Sequence, residues 1–316
     1  MAASPAKPRV RAGLCTDVQY ADKPTSDARP AKRYAEAVDR LRFTAQAFSE
    51  VHLHQTPLDV LFHLGDIIDG NETLDKSRAD LEHVMNEFDS LTRKHPELPL
   101  HHVIGNHCLR VPRQELYARL GFSSDSASTW YTLKYEGIRF VILNGCHVSL
   151  DGWREEVDDD APELVQAHHF LDTHPLDAFG YAERFNGGVG KGQLEWFRNE
   201  LAAAASHNVK VIVLCHFPLL EEASNIRHLL WDKDDVLAVL HEYNRTVVAW
   251  MNGHYHAGGY AFHDGIHHIT FQAVLETDPA QGSSHAIIDV FEDRLQVDGH
   301  GSIPSCVLPF HEPRTS

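Results

Sequence analysis

Seven polar side chains of this sequence stand just beyond apolar runs, and their types and spacing could bind metal ions. The seven are Asp17, Gln19, Asp66, Asn106, His216, His254 and His256. Carboxylate and amide oxygens mixed with imidazole nitrogens, without a thiolate, suit a divalent ion such as Mn²⁺, Fe²⁺ or Zn²⁺. Seven ligands are too many for one such ion, whereas two ions that share a bridging carboxylate would use them all. The set therefore predicts a dinuclear site, of the kind that clamps the oxygens of a phosphoryl displacement.

The elements that must position these side chains are strands of an α/β fold. Apolar runs predict strands at 11–16, 60–64, 100–104, 209–214 and 246–251, and each run ends in one of the polar groups. Amphipathic spacing predicts helices at 34–48, 76–95, 193–204 and 232–243. In open α/β sheets the ligand crevice lies at the carboxyl ends of the strands. We therefore expect a layered α/β sheet with the metal site at that edge.

The remaining segments favour one domain over 1–316, with an ordered core of about 10–300. Runs at 130–135 and 138–144 flank a Glu-Gly turn and predict a hairpin. Residues 151–190 have the least regular pattern, and we expect this insert to line the substrate site. Three short strands are expected between 266 and 297.

Composition limits the classes of partner. The chain has 316 residues and a net charge of -17, which disfavours a nucleic-acid backbone or an anionic membrane as the main partner. Its five cysteines form no Cys-x-x-Cys motif, as is typical of reduced thiols in the cytoplasm. No apolar run resembles a signal peptide or a membrane span. We expect a cytoplasmic protein, a monomer or small homo-oligomer, that acts on a small molecule.

Five motifs, in this order, resemble those of the calcineurin-like metallophosphoesterases. They are Asp17-Val18-Gln19, Gly65-Asp66-Ile67-Ile68-Asp69-Gly70, Gly105-Asn106-His107, a strand-terminal His216 and Gly253-His254-Tyr255-His256. The resemblance extends from Asp17 to about Thr277. Gln19, where the usual motif has histidine, and Phe185-Asn186-Gly187-Gly188 look like the manganese-dependent ADP-ribose/CDP-alcohol diphosphatases.

The resemblance implies an α/β/β/α sandwich and assigns roles to the site residues. One ion would be held by Asp17, Gln19, Asp66 and His256, and the other by Asp66, Asn106, His216 and His254. The ions would be Mn²⁺, with Fe²⁺, Zn²⁺ or Mg²⁺ as alternatives. His107 would act on the phosphoryl group or the leaving oxygen, and Asp69 would orient it through its other ring nitrogen. Asn186 and Gly188 are expected to bind substrate.

The implied reaction is hydrolysis of a pyrophosphate bond in a nucleoside-diphosphate-linked substrate. ADP-ribose, CDP-choline, CDP-glycerol or CDP-ethanolamine would give a nucleoside monophosphate and a phosphorylated product. One alternative is a phosphodiesterase or phosphomonoesterase of the same fold, with a cyclic nucleotide or phosphoprotein as substrate. Protein phosphatases continue their motifs as Asp-Arg-Gly and Asn-His-Glu, whereas here Gly70 follows Asp69 and Cys108 follows His107. A second alternative is a metal-binding scaffold without activity.

Overall fold

The computed structural model describes residues 7–123, 129–154, 158 and 160–310. Within that part of the chain the strands are β1 (Val10–Cys15), β2 (Val60–His63), β3 (Leu100–His102), β4 (Tyr131–Tyr135), β5 (Ile138–Ile142), β6 (Lys210–Leu214), β7 (Val247–Asn252), β8 (Gly259–His263), β9 (Ile266–Thr270), β10 (His285–Val290), β11 (Arg294–His300) and β12 (Cys306–Pro309). The α-helices there are α1 (Ala37–His54), α2 (Leu74–Lys94), α3 (Arg113–Arg119), α4 (Pro162–Thr173), α5 (Gly190–Ser206) and α6 (Lys233–Glu242).

These strands form two six-stranded sheets. The first sheet has the order β12-β11-β10-β1-β2-β3, and the second has the order β4-β5-β6-β7-β9-β8. In the first sheet β1, β2 and β3 are parallel, and β10 pairs with β1 in the antiparallel direction. In the second sheet β5, β6, β7 and β9 are parallel. The carboxyl ends of three parallel strands of the first sheet therefore lie at one edge, as do those of the second.

Side-chain alternation along the strands explains why the sheets stack and why helices cover them. Successive side chains of a strand point to opposite faces. Phe62 of β2 packs between the sheets, where its ring centroid lies 4.9 Å from that of Phe140, while its neighbour Leu61 packs against Phe48 of α1. Burying one such phenylalanine contributes about 1.5–3 kcal/mol. The second sheet is covered in the same way by α5 and α6, so the predicted α/β/β/α sandwich is confirmed.

Two parts of the fold differ from the sequence pattern. Helix α4 forms inside the stretch that we expected to be irregular, where Pro162 occupies the first turn and Ala167 is its fully buried residue. A helix with so little buried surface leaves a weak periodic pattern. Strands β8 and β12 add to the three expected in the tail. Both lie at sheet edges, and Tyr260, Phe262 and Val307 on them are exposed. Among the described residues, none of the helices combines the length and apolar character needed to cross a membrane.

Candidate metal centre

All seven side chains with metal-binding chemistry meet where the strands of the two sheets end. The segments after β1, β2 and β3 in the first sheet place Asp17, Gln19, Asp66 and Asn106 there. The segments after β6 and β7 in the second sheet add His216, His254 and His256. Except for His256, which is nearly buried, all of them are buried. The site is thus shared between the two sheets.

Asp66 is the most connected of these residues. Its Oδ1 accepts the backbone N–H of His107 at 2.9 Å, and its Oδ2 accepts Gln19 Nε2 at 2.9 Å. The same Oδ2 lies 3.3 Å from His216 Nε2. A side chain on Gly105 would collide with the backbone nitrogen and Oδ1 of Asp66, which explains the glycine at that position. The carboxylate is therefore fixed at the centre of the set.

Asp17 and His256 form a second part of the set. Asp17 Oδ2 accepts the Thr16 hydroxyl at 2.6 Å and the backbone N–H of His254 at 3.1 Å. Its Oδ1 lies 3.5 Å from His256 Nε2. The other ring nitrogen of His256, Nδ1, lies 2.7 Å from Glu276 Oε1. Glu276, which no motif in the sequence singled out, orients the imidazole as carboxylates commonly orient metal-binding histidines.

His254 is oriented by the side chain of Asn186. The amide nitrogen of Asn186 donates to the carbonyls of Tyr181 at 3.0 Å and Arg227 at 2.8 Å. Its amide oxygen must therefore be the acceptor that lies 2.9 Å from His254 Nε2. His254 consequently carries its proton on Nε2, and Nδ1 keeps the lone pair that a metal ligand requires.

The pKa shifts of these side chains also show that the site stabilises positive charge. Burial alone would lower the pKa of His216, but the carboxylates of Asp66 and Asp17 outweigh it and raise the pKa to about 9. Burial would also lower the pKa of His256, but the carboxylates of Asp17 and Glu276 outweigh it and raise the pKa to about 9. Burial would raise the pKa of Asp66, yet the imidazoles of His216 and His107 hold it well below the ordinary value. Positive charge among these carboxylates is therefore strongly stabilised.

Unpartnered atoms show that the donor set fits metal ions. Within the described residues, Gln19 Oε1 and Asn106 Oδ1 are buried and have no hydrogen-bond partner, while Asp17 Oδ1 and His216 Nε2 have only the longer approaches of 3.5 and 3.3 Å given above. Leaving a buried polar group unsatisfied costs about 1–3 kcal/mol, so natural structures rarely cluster such atoms. One ligand atom each from Asp66, His216 and His254 also falls within 4.8 Å of the others. Buried oxygens and imidazole nitrogens of this kind are the ligands that Mn²⁺ and related ions prefer.

Four residues of this set have strained backbones. Asp17, Gln19, Asp66 and His254 have φ angles of 51°, 43°, 58° and 67°. Left-handed backbone is unfavourable for residues other than glycine, and it persists where the surrounding structure enforces it, often at functional sites. These strained positions thus coincide with the side chains that meet at the common centre.

His107 begins a 3₁₀ helix, His107–Arg110, at the edge of the metal centre. Its Nδ1 lies 2.9 Å from the backbone carbonyl of Asp69 and 3.4 Å from the Asp69 carboxylate. The other carboxylate oxygen of Asp69 forms an ion pair with Lys23. Asp69 therefore contacts Nδ1 of His107 mainly through its backbone carbonyl, with the carboxylate farther away. The His107 side chain remains 28% exposed and so can reach a substrate.

The surface above the metal centre is a crevice with two lobes, and His107 borders both. The aromatic lobe, of about 370 Å³, is lined by Gln19, Lys32, His107, Phe185, His228, His254, Tyr255, His256, Ala257 and Glu276. The polar lobe, of about 290 Å³, is lined by Lys23, Asp69, Gly70, Asn71, Glu72, His107 and Arg110. Phe185, His228 and Tyr255 offer ring faces on one side of His107, whereas charged side chains dominate the other side.

The two residues expected to bind substrate are placed away from the crevice surface. Asn186 is only 1% exposed and lies behind His254. Gly188 exchanges two backbone hydrogen bonds with Val148 and borders a different cavity, beside Trp231. From the insert at 151–190, Phe185 is a residue that does line the crevice. Residues 155–157 and 159 of that insert lie outside the described part of the chain.

Comparison with known proteins gives matches over most of the chain. The sequence model of the calcineurin-like phosphoesterase family matches residues 10–258. Proteins of Arabidopsis thaliana and Oryza sativa subsp. japonica, both named manganese-dependent ADP-ribose/CDP-alcohol diphosphatase, are 31% and 32% identical to this chain. These alignments cover 95% and 98% of this chain and 96% of each relative. A solved dimetal phosphatase from Danio rerio has a TM-score of 0.83 and 28% identity, covering 96% of this chain and 100% of that one.

Proposed function

Because the chain belongs to the calcineurin-like phosphoesterase family, we propose that it hydrolyses the pyrophosphate bond of ADP-ribose or of CDP-alcohols. It is a metal-dependent hydrolase that uses two divalent metal ions, and the relatives cited above are named for their dependence on manganese. CDP-choline, CDP-glycerol and CDP-ethanolamine are the candidate CDP-alcohols. The products would be a nucleoside monophosphate and a phosphorylated sugar or alcohol.

The observation that best supports this proposal is the crevice divided at His107. A nucleoside-diphosphate-linked substrate has a flat base at one end and a second phosphate with a polar group at the other. The aromatic lobe offers ring faces for a base, from Phe185, His228 and Tyr255. The polar lobe offers the cations Lys23 and Arg110. The pyrophosphate bridge would then lie across the metal centre, next to His107.

We propose that the two ions divide the seven ligands as the family resemblance implies, with Asp66 as the bridge. Asp17, Gln19 and His256 would complete one site; Asn106, His216 and His254 would complete the other. When bound, the ions supply Lewis-acid stabilisation of the charge that develops on the phosphoryl oxygens. The contacts of Asp66 with both Gln19 and His216 support its place between the two sites.

We propose that His107 protonates the leaving oxygen. Its Nδ1 donates a hydrogen bond to the Asp69 carbonyl, so Nε2 is left to hold and release the catalytic proton. Asp69 would then be a positioning residue, itself held by Lys23. This assignment explains why the Asp66 and Asp69 carboxylates of one motif have different surroundings.

Asn186 is better supported as a positioning residue than as a substrate contact. Its three hydrogen bonds connect His254 to the carbonyls of Tyr181 and Arg227. Gly188 would support the same region through its backbone pairing with Val148. The cytoplasm remains the proposed compartment, and the free state of all five cysteines supports a reducing environment.

The test is a substrate panel with purified protein and Mn²⁺, followed by chromatography of the products. We expect nucleoside monophosphate from ADP-ribose, CDP-choline or CDP-glycerol, and little product from cyclic AMP or phosphopeptides. The Asp66→Asn variant serves as the inactive control. Release of product from cyclic AMP or phosphopeptides alone would refute the proposal in favour of a phosphodiesterase or phosphomonoesterase.

A further inference from the structure

We infer that Arg110 binds the second phosphate of the substrate, the one that leaves with the sugar or alcohol, and so selects diphosphates over simple phosphodiesters. This inference rests on the proposed function and extends it. The polar lobe would thus be a phosphate subsite, separate from the metal centre. None of the seven candidate metal ligands lines it.

The 3₁₀ helix places Arg110 beside His107. The two residues are the first and last of that helix, three positions apart. Side chains three apart on a 3₁₀ helix eclipse, so both project from the same face. Both line the polar lobe. A group that accepts a proton from His107 therefore lies within the reach of the Arg110 guanidinium.

Arg110 is the cation of this lobe that is available for a ligand. Its ion pair with Asp151 has a long N–O distance of 3.9 Å, and its side chain is 55% exposed. Lys23, by contrast, is tied to Asp69 and to the Gly70 carbonyl, and its ammonium lies 4.2 Å from the Tyr34 ring centroid. An exposed pair as long as that of Arg110 contributes little. Its guanidinium can therefore exchange Asp151 for a phosphate, which it binds with two parallel hydrogen bonds.

Gly70 makes room for the arginine. The stem of Arg110 lies directly over Gly70, where a Cβ would fall 2.7 Å from Arg110 Cβ and closer still to Cγ. Gly70 also has a φ of 82°, which a glycine adopts without strain. Two features of this glycine thus allow the side chain to lie along the lobe. Alanine at position 70 would push the guanidinium away while leaving its charge intact.

The chemistry of the leaving group explains the need for this cation. Hydrolysis breaks one P–O bond of the P–O–P bridge, and the bridging oxygen leaves with the second phosphate. Water supplies the hydroxyl that ends on the nucleotide phosphorus and the proton that balances the leaving phosphate. That phosphate is an anion in a protein of net charge -17, so a local cation strongly favours its binding. A p-nitrophenyl ester of the same nucleotide has no such phosphate and makes no demand on Arg110.

The experiment compares the Mn²⁺-loaded wild-type enzyme with Arg110→Gln on two substrates. One is CDP-choline, and the other is a nucleoside monophosphate p-nitrophenyl ester, which lacks the second phosphate. We expect the ratio of kcat/KM for CDP-choline to kcat/KM for the p-nitrophenyl ester to be about tenfold to a hundredfold lower in the variant. This is the loss expected when a charge-assisted contact with a phosphate is removed. The inhibition constant of phosphocholine should rise by a similar factor. Arg110→Lys, which keeps the charge without the planar fork, should recover part of the ratio.

Two further variants sharpen the result. Arg198→Gln removes an exposed arginine that pairs with Glu242 and does not line the polar lobe. It should leave the ratio unchanged. Gly70→Ala should lower the ratio in the same direction as Arg110→Gln, with folding checked by thermal melting. Equal losses on both substrates, or no change with Arg110→Gln, would overturn the inference while the proposed function stands. A wild-type enzyme that cleaves no nucleoside-diphosphate substrate would overturn both.

Discussion

Replacing Asn186 with alanine is expected to weaken Mn²⁺ binding through His254, a residue that it does not replace. The variant removes the acceptor that lies 2.9 Å from His254 Nε2. Without that acceptor the ring is free to rotate and to carry its proton on Nδ1, and metal binding must then select the right tautomer and orientation. Loss of such an outer partner typically lowers metal affinity about 10- to 100-fold.

The same variant has a second, separate cost in stability. The carbonyls of Tyr181 and Arg227 lose the amide donor at 3.0 and 2.8 Å. Both hydrogen bonds are only partly buried, and each contributes about 0.5–1.5 kcal/mol, so the metal-free protein should lose about 1–3 kcal/mol of unfolding free energy. Asn186→Asp separates the two effects, since a carboxylate still accepts from His254 but cannot donate to either carbonyl. We expect Asn186→Asp to keep Mn²⁺ affinity and to lose stability.

The assay is calorimetric titration of Mn²⁺ into metal-free protein, paired with urea unfolding of the same samples. Asn225→Ala is the matched control, because Asn225 accepts the Arg227 backbone N–H at 3.0 Å without contacting His254. It should lower stability and leave affinity unchanged. Equal loss of affinity in the alanine and aspartate variants, or wild-type affinity in Asn186→Ala, would refute the positioning role.

Three further predictions concern the Asp66 and Asp69 carboxylates, the imidazole of His107 proposed as catalytic, and the buried carboxyl group of Asp232. Asp66→Asn should lose both ions and Asp69→Asn should keep them in metal analysis, and equal losses would contradict the proposed bridge. His107→Asn should lower kcat by about 10²- to 10⁴-fold with metal content and melting temperature unchanged; a loss below tenfold would remove it from the mechanism. Burial raises the pKa of Asp232 from 3.8 to about 6, although the hydrogen bonds that its carboxylate accepts from the Gly190 and Val189 backbone N–H groups lower it. Ionisation of Asp232 is therefore disfavoured in the folded state. As the pH rises from 4 to 6, the unfolding free energy of the wild type relative to that of Asp232→Asn should fall by up to about 3 kcal/mol, and above pH 6 it should stay level. Urea unfolding across that range measures it, and a constant difference would show that Asp232 ionises normally.

The sequence predicted the parallel strands and the polar residues that follow them because both are encoded locally. An apolar run that ends in Gly-Asp or Gly-Asn is read within a few residues, and the fold then brings such ends to one edge. Glu276 and Asn186 were not recognised as positioning residues. Glu276 contacts a histidine 20 positions away, and Asn186 contacts one 68 positions away. Such partners depend on how loops pack, which no local pattern records.

The elements that we did not predict share a physical cause as well. Helix α4 buries little, and strands β8 and β12 lie at sheet edges with exposed side chains. Patterns of hydrophobic spacing arise from burial, so elements with a small buried face leave a weak pattern. The association of His107 with Arg110 was likewise invisible, because it depends on a 3₁₀ rather than an α-helical turn.

The division of the seven proposed ligands between two sheets has a consequence for how the protein matures. The first sheet contains β1, β2 and β3 but also β10, which pairs with β1 only after the chain has passed through the second sheet. A nascent chain that stops before residue 216 can present at most four of the seven donors. If these side chains hold the ions as proposed, ion uptake is a late event that follows association of the sheets, and the bound ions would join the two halves of the molecule as a non-covalent cross-link. Separately produced halves should accordingly find each other more readily in the presence of manganese than in its absence.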